Sequence, residues 1–308
     1  MTMLSSVASR IYWMARYLER AENTARLINV NTHLLLDLPR RVRLGWEPII
    51  DISSSRDYFY NLYEDADERS VIRFMVSDTR NPDSILSALN KARENTRTIR
   101  DIIPREAWEQ VNTLHLNSKT NARSVVTQRH RYDYLHSVIL GVQTISGMLA
   151  GTMTHDEGYD FLRMGRNLER ADMTTRIIDV RSASLLPDMP EDLTPFENLQ
   201  WVSVLKSLTA YQMYRREVHQ RIRRTDVLRF LLLQENFPRS FYHGLCQVGN
   251  CLGNLPRSNK VLRILTQLQK KLLRAKLQEF DQEKLHTFID ELQLGIIKIN
   301  DSISKNYF

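Results

Sequence analysis

Met14-Ala15-Arg16-Tyr17-Leu18-Glu19-Arg20-Ala21-Glu22-Asn23-Thr24-Ala25-Arg26 returns later in the chain as Met164-Gly165-Arg166-Asn167-Leu168-Glu169-Arg170-Ala171-Asp172-Met173-Thr174-Thr175-Arg176. Met, Arg, Leu, Glu-Arg-Ala, an acid, Thr and Arg recur at a constant offset of 150, and what recurs is mostly charge. On a helix of about 3.6 residues per turn, Met14, Tyr17, Leu18, Ala21, Ala25 and Ile28 share one side, as core positions do. Arg16 and Arg20 form one row of the other side, and Glu19, Glu22 and Arg26 form the next. Glu22 precedes Arg26 in the favourable i,i+4 order, and Glu19 lies within i,i+3 reach of Arg16.

The correspondence continues outward. Val71-Ile72-Arg73-Phe74 followed by Asn81-Pro82-Asp83-Ser84 returns as Val227-Leu228-Arg229-Phe230 followed by Phe237-Pro238-Arg239-Ser240, at an offset of 156. Trp46, Ile49 and Ile50 answer to Trp201, Val204 and Leu205 at an offset of 155. One tandem duplication of about 150 residues accounts for this spacing. The expected fold is an all-α, pseudo-symmetric helical bundle: one domain of two repeats, about 1–152 and 153–308, packed together.

Each repeat reads as a motif helix (about 8–36 and 156–184), a second helix (46–63 and 196–224), a third leading to the Pro-Ser turn, a fourth after it, and a long closing helix (about 124–152 and 279–305). Pro82 and Pro238 suit the first turn of a helix, and Ser84 and Ser240 read as residues of that turn. The fourth helix carries Ala92-Arg93-Glu94-Asn95-Thr96-Arg97 in the first repeat and Leu245-Cys246-Gln247-Val248-Gly249-Asn250-Cys251 in the second. The frame is shared and the chemistry is not, so any site is expected to be asymmetric.

Composition agrees with helices. Ten Gly and nine Pro in 308 residues leave few turn signals, and 42% hydrophobic with 26% charged residues is ordinary for a chain that buries a large core. Cys246 and Cys251 fit neither a disulfide framework nor a zinc-ligand pair, and read as small core residues in a reducing compartment. The apolar run from Val138 to Met153 is interrupted by Gln143, Thr144 and Ser146 and reads as too short to cross a bilayer. No charged leader precedes an apolar stretch at the N-terminus, so a cytoplasmic protein is expected. The net charge of +7 permits anionic partners but is diffuse. Its densest segment, Arg215, Arg216, His219, Arg221, Arg223 and Arg224, spreads around a helix without a nucleic-acid-binding pattern.

The five charged motif positions keep their order in both repeats. Exposed ion pairs contribute only about 0–1 kcal/mol and would exert little pressure to keep that order, whereas breaking a buried pair costs roughly 3–5 kcal/mol. The two motif helices are therefore expected to bring their charged faces into a shared interior or cleft, with Ala15 and Gly165 permitting close approach. Three readings of that layer compete. It is an Arg-carboxylate network fixing the register of the halves, or an anion site, or a carboxylate metal site.

For the anion reading the candidates are Arg16, Arg20, Arg26, Arg166, Arg170 and Arg176, with Arg93, Arg97 and Arg239 from neighbouring segments. Glu22, Glu94, Asn95 and Asp172 would orient them. A catalytic version makes Glu19 or Glu169 the general base. The metal reading lacks the histidines that carboxylate-bridged bundles require, so no metal is expected. No Gly-rich phosphate loop, nucleophile elbow or His-Glu-x-x-His helix is present, and no cofactor is expected.

With these residues in place, the chain resembles the alpha-E family of bacterial all-helical proteins. The resemblance rests on Arg10-Ile11-Tyr12-Trp13, on Arg16 to Arg26, on Ala92 to Arg97, on Gly158, Phe161 and Leu162, on Gly165 to Asp172, and on Phe237-Pro238-Arg239-Ser240. It spans nearly the whole chain. Ala15 stands where the family usually has Gly, and Asn236-Phe237 precedes Pro238 where members often carry Asn directly. The resemblance implies an accessory member of gene clusters or fusions containing circularly permuted ATP-grasp amide ligases and transglutaminase-like or amidohydrolase-type peptidases. The function it implies is a helical, non-catalytic or co-catalytic partner of such a peptide ligase, its Arg/Glu layer holding a carboxylate or phosphate of a peptide or small anion. Two alternatives are an enzyme acting through the Arg/Glu cleft and a basic nucleic-acid-binding protein.

Overall fold

The computed structural model describes residues 3–37, 45–183 and 194–308, and within them helices are the main regular elements and no strand occurs. The first seven helices are α1 (Ser5–Asp37), α2 (Glu47–Ile52), α3 (Arg56–Tyr60), α4 (Glu68–Val76), α5 (Ile85–Thr98), α6 (Arg105–Asn121) and α7 (Gln128–Thr152). The next seven are α8 (Glu157–Ala183), α9 (Thr194–Ser207), α10 (Tyr211–Glu217), α11 (Arg224–Leu233), α12 (Phe241–Gly253), α13 (Asn259–Arg274) and α14 (Gln282–Tyr307), with α9 longer than its counterpart α2.

The motif helices lie where the charge pattern puts them, although the end expected at 184 falls outside the described residues. The expected second helix is two helices in each half. Between α2 and α3 stands Ser54, and between α9 and α10 stands Thr209, each with φ of 53°. A left-handed residue cannot continue a right-handed helix, so the chain turns there. α10 ends at Glu217, so His219, Arg221 and Arg223 lie in a connection rather than around a helix. Pro82 and Pro238 sit in the turn ahead of a helix instead of in its first turn. Ser84 and Ser240 are the N-caps, their Oγ atoms accepting from the backbone N–H of Ser87 (3.2 Å) and His243 (3.1 Å). One further helix per half, α6 and α13, precedes the closing one.

Packing pairs match across the halves. α1 packs on α5 and α7, and α8 on α12 and α14; α5 meets α6 and α6 meets α7, while α12 meets α13 and α13 meets α14. The halves also interlock, because α2 packs on α8 and α9 on α1. α1 and α8 lie side by side at the centre, in contact from Tyr12 and Gly165 to Asn31 and Arg181. There Gly165 is required: a Cβ at this position would stand 2.3 Å from the Tyr12 carbonyl oxygen and 3.3 Å from Ala15 Cβ. One apolar cluster runs through both halves, from Ile11, Tyr12 and Met14 on α1 to Ile296 and Ile303 on α14. Because neighbours enclose α1 on most of its circumference, polar residues of its motif are buried as well, Glu19 and Glu22 to 1% exposure.

α7 is longer than its apolar run suggested. Arg129–Thr152 is long and apolar enough, by length and composition, to cross a membrane, and Leu135, Val138, Val142, Ile145 and Leu149 of that segment are buried in the core.

Candidate functional site: an Arg/Glu layer between two central helices

Each motif glutamate reaches the other motif helix. Glu169 on α8 accepts Arg16 Nε at 2.7 Å on Oε2, Arg20 Nε at 2.6 Å on Oε1 and Arg20 Nη2 at 3.1 Å on Oε2. Glu19 on α1 lies 3.0 Å from Arg170 Nε and 2.9 Å from Arg239 Nη1. The expected Glu19–Arg16 pairing within α1 is thus replaced by pairs between helices, whereas the Glu22–Arg26 pair forms as expected at 2.8 Å. Asp172 and Arg176 pair in the same way at 3.0 Å.

Neighbours complete the two sides differently. Beside Glu169, Arg20 Nη1 also donates to Asp83 Oδ1 at 2.6 Å, and Arg16 Nη1 and the Tyr12 hydroxyl both donate to Asn300 Oδ1 at 2.8 Å. Beside Glu19, Arg239 donates to Asn23 Oδ1 (2.6 Å) and Glu22 Oε1 (2.9 Å), and Thr174 Oγ1 holds the Arg239 carbonyl at 2.9 Å. Arg166 corresponds to Arg16, but Leu162 and Ser146 stand near it, and its Nε has no hydrogen-bond partner. Arg170 and Arg239 both converge on Glu19 Oε1, so this glutamate, like Glu169, is shared by two arginines.

Burial raises the pKa of Glu169, but the charges and hydrogen bonds of Arg20 and Arg16 outweigh it and hold the carboxyl at about 2. For Glu19 burial likewise raises, and Arg170 and Arg239 outweigh it, so its pKa is also lowered. A general base works best with a pKa near the operating pH. Both glutamates instead have the character of fixed counter-ions.

Between α1, the α2–α3 turn and α8 the layer opens into a cleft of about 220 Å³. Arg20, Ser54, Asp83, Glu169, Asp172 and Arg176 line it, with the Arg176 guanidinium also hydrogen-bonded to Ser54 Oγ. Side-chain exposure rises from 2% at Glu169 to 20% at Arg20, 23% at Arg176 and 35% at Asp83. The charges therefore grade from a sealed floor to a wet rim. Ser54, held at positive φ, is part of the wall.

The structure brings Arg16, Arg20, Glu19, Glu22, Arg26, Glu169, Arg170, Asp172, Arg176 and Arg239 together, with Arg166 at the edge. It does not bring in the charged string of α5. That helix turns Ala88, Leu89, Ala92 and Thr96 inward, and Arg93 instead bonds Asn112 (2.7 Å) and Glu94 (2.7 Å) and lies over Trp108, while Arg97 pairs with Glu94. Asn95, the remaining candidate of that string, is half-buried on α5. Asp83, Asn300, Tyr12, Asn23 and Ser54 were not candidates from sequence. Only Asp83 left a signal, as an acid aligned with Arg239.

Among the described residues, Asp179, His286 and Asp290 are placed so that they could hold a metal ion. His286 Nδ1 lies 2.8 Å from Asp179 Oδ1, and that contact raises the imidazole pKa.

Fold and layer together define an all-α protein organised about two packed Arg/Glu helices. The chain belongs to the alpha-E family, described as a predicted alpha-helical domain with a conserved ER motif, which matches residues 3–308. Uncharacterized proteins of Mycobacterium bovis and of Mycobacterium tuberculosis strain CDC 1551 are each 22% identical to it over 319 residues, covering 94% of this chain and 35% of the relative. One of strain H37Rv is 21% identical over the same span and coverage. The chain therefore spans about a third of the length of these relatives. No solved structure matches it.

Proposed function

We propose that this protein is a helical accessory, or co-catalytic, partner of an ATP-grasp amide ligase in the cytoplasm, acting in peptide synthesis or modification, and that the cleft between its motif helices receives a charged group of the ligase's substrate. A transglutaminase-like protein belongs to the same proposed setting. The observation that carries the reading is the cleft itself, where ionised side chains run from the buried Glu169 to the solvent-facing Asp83 and Arg176. A network serving only to fix register has no need of an open side.

The alpha-E membership supports the setting, because the family resembles companions of such ligases. In the mycobacterial relatives the matching segment is about a third of a longer chain, which is consistent with a unit that works joined to, or beside, another. Glutamates held as counter-ions favour a binding role over general-base catalysis. The matching packing pairs of the halves, and the left-handed Ser54 and Thr209 at corresponding positions, support descent by one duplication after which one side was filled and the other left open. The test is co-purification with the ATP-grasp ligase, together with ligase turnover in its presence and absence. Association with a changed turnover is expected, and no association with no change refutes the proposal.

A further inference from the structure

The filled side of the layer shows what the open side is shaped to hold. On the filled side the Arg239 guanidinium sits among Glu19, Glu22 and Asn23, beside Arg170 and Arg26, with only 7% of its side chain exposed. The residues at the corresponding positions of the other half are Glu169, Asp172, Met173, Arg20 and Arg176, and all five line the open cleft. The position that corresponds to Arg239 is Asp83, at the cleft's rim. The cleft is thus the place that a guanidinium occupies in the other half, with that guanidinium replaced by an acid facing solvent.

Charge agrees with shape. Arg20, Arg176, Asp83, Glu169 and Asp172 carry two positive and three negative charges, whereas Arg170, Arg26, Arg239, Glu19 and Glu22 carry three positive and two negative. The open side is two unit charges more negative than the side that already tolerates a buried guanidinium. Its arginines are committed: Arg20 to Glu169 and Asp83, Arg176 to Asp172 and Ser54. Two of its acceptor oxygens are not, because Asp172 Oδ1 and Asp83 Oδ2 accept no hydrogen bond among the described residues. Ile52 and Met173 add apolar wall for an alkyl stem.

We propose that the cleft binds a guanidinium-bearing small molecule, its N–H groups on Asp172 and Asp83 and its alkyl chain against Ile52 and Met173. The proposal rests on the reading of the cleft as a ligand site, and it names the ligand as a cation where the sequence pattern suggested an anion. If the ligase setting also holds, the cleft presents the amine-side substrate of amide formation, whose nucleophilic nitrogen would belong to the same molecule.

The test uses the intact chain alone, without ligase, so that its outcome is separate from that of the partnership. Agmatine, n-butylammonium and inorganic phosphate are titrated calorimetrically at low ionic strength. Agmatine is expected to bind with a Kd of about 1 mM or tighter, n-butylammonium more weakly, and phosphate not at all. Asp172→Asn is expected to lower agmatine affinity by about 10-fold or more. Asp83→Arg, which installs the residue of the filled side, is expected to abolish binding while melting as cooperatively as the parent. The absence of saturable agmatine binding, agmatine binding undiminished in both variants, or phosphate binding in its place would each overturn the proposal. Should Asp83→Arg fail to fold, Asp83→Ala and Asp172→Asn still decide it through their loss of affinity.

Discussion

Replacing Glu169 with Gln keeps the side chain's shape and removes the charge on which two arginines converge. Arg20 would retain Asp83, which is 35% exposed. Arg16, whose side chain is 8% exposed, would keep neutral partners, the Asn300 side-chain oxygen, the amide oxygen of the substituted side chain and the Trp13 ring, but lose its ionic one. Leaving one partner of a buried pair uncompensated costs about 3–5 kcal/mol. The pKa gives a second route to the same magnitude, since lowering from 4.5 to about 2 corresponds to about 3 kcal/mol of stabilisation of the ionised form. With an unfolding entropy of about 0.65 kcal/mol/K for a chain this long, the melting temperature should fall by roughly 5–8 °C in scanning calorimetry at neutral pH. Glu109→Gln is the control, because Glu109 pairs with Arg105 at 2.8 Å where the two side chains are 86% and 55% exposed, and its loss should move the transition by less than about 1 °C. If the two variants shift the transition equally little, the layer is not the closed network described above.

Acid should expose the same term. Glu169 has a folded-state pKa below its unfolded value, so its contribution is complete above pH 4.5 and is lost as the pH falls toward about 2; over that window the wild-type transition should drop more steeply than that of Glu169→Gln. Gly165→Ala should destabilise by more than about 2 kcal/mol because the new methyl meets a backbone carbonyl, reversing the usual gain on filling a helical glycine. Gly147→Ala on α7, where nothing lies within 4 Å of the new Cβ, should instead gain about 0.5–1 kcal/mol in the same denaturation assay. Burial pushes Arg181 down to about 10, and Arg181 Nη2 donates to the Asn31 side-chain oxygen at 2.7 Å. Asn31→Leu alone should therefore cost about 3 kcal/mol, while Asn31→Leu with Arg181→Met should recover most or all of it, measured by urea titration of both variants.

Periodicity and the doubled charge order made the helical class and the meeting of the motif helices legible, and Gly165 announced how closely they approach. Partner choice was hidden, because Arg16 and Glu19 satisfy an intrahelical rule as well as they satisfy an interhelical one; only the packing of α1 on α8 decides between them. The break after α2 was hidden for a different reason. Ser54 and Thr209 take left-handed backbone without the glycine that would have marked it. Arg93, Glu94 and Arg97 looked like members of the layer because they are charged and clustered, yet small residues on the opposite side of α5 turn that helix so that the string faces α6. Asp83 carried the clearest unused signal, a charge reversal against Arg239 within otherwise parallel Pro-Ser turns.

The central claim is that one side of a pseudo-symmetric charged layer is a site and the other is its filled counterpart. It is tested most directly by turnover of the ATP-grasp ligase proposed as its partner, with wild-type protein and with Asp83→Arg. Loss of the effect on turnover, in a variant that remains folded and still associates with the ligase, is the predicted result. An Asp83→Arg protein that supports turnover as well as the wild type would contradict it.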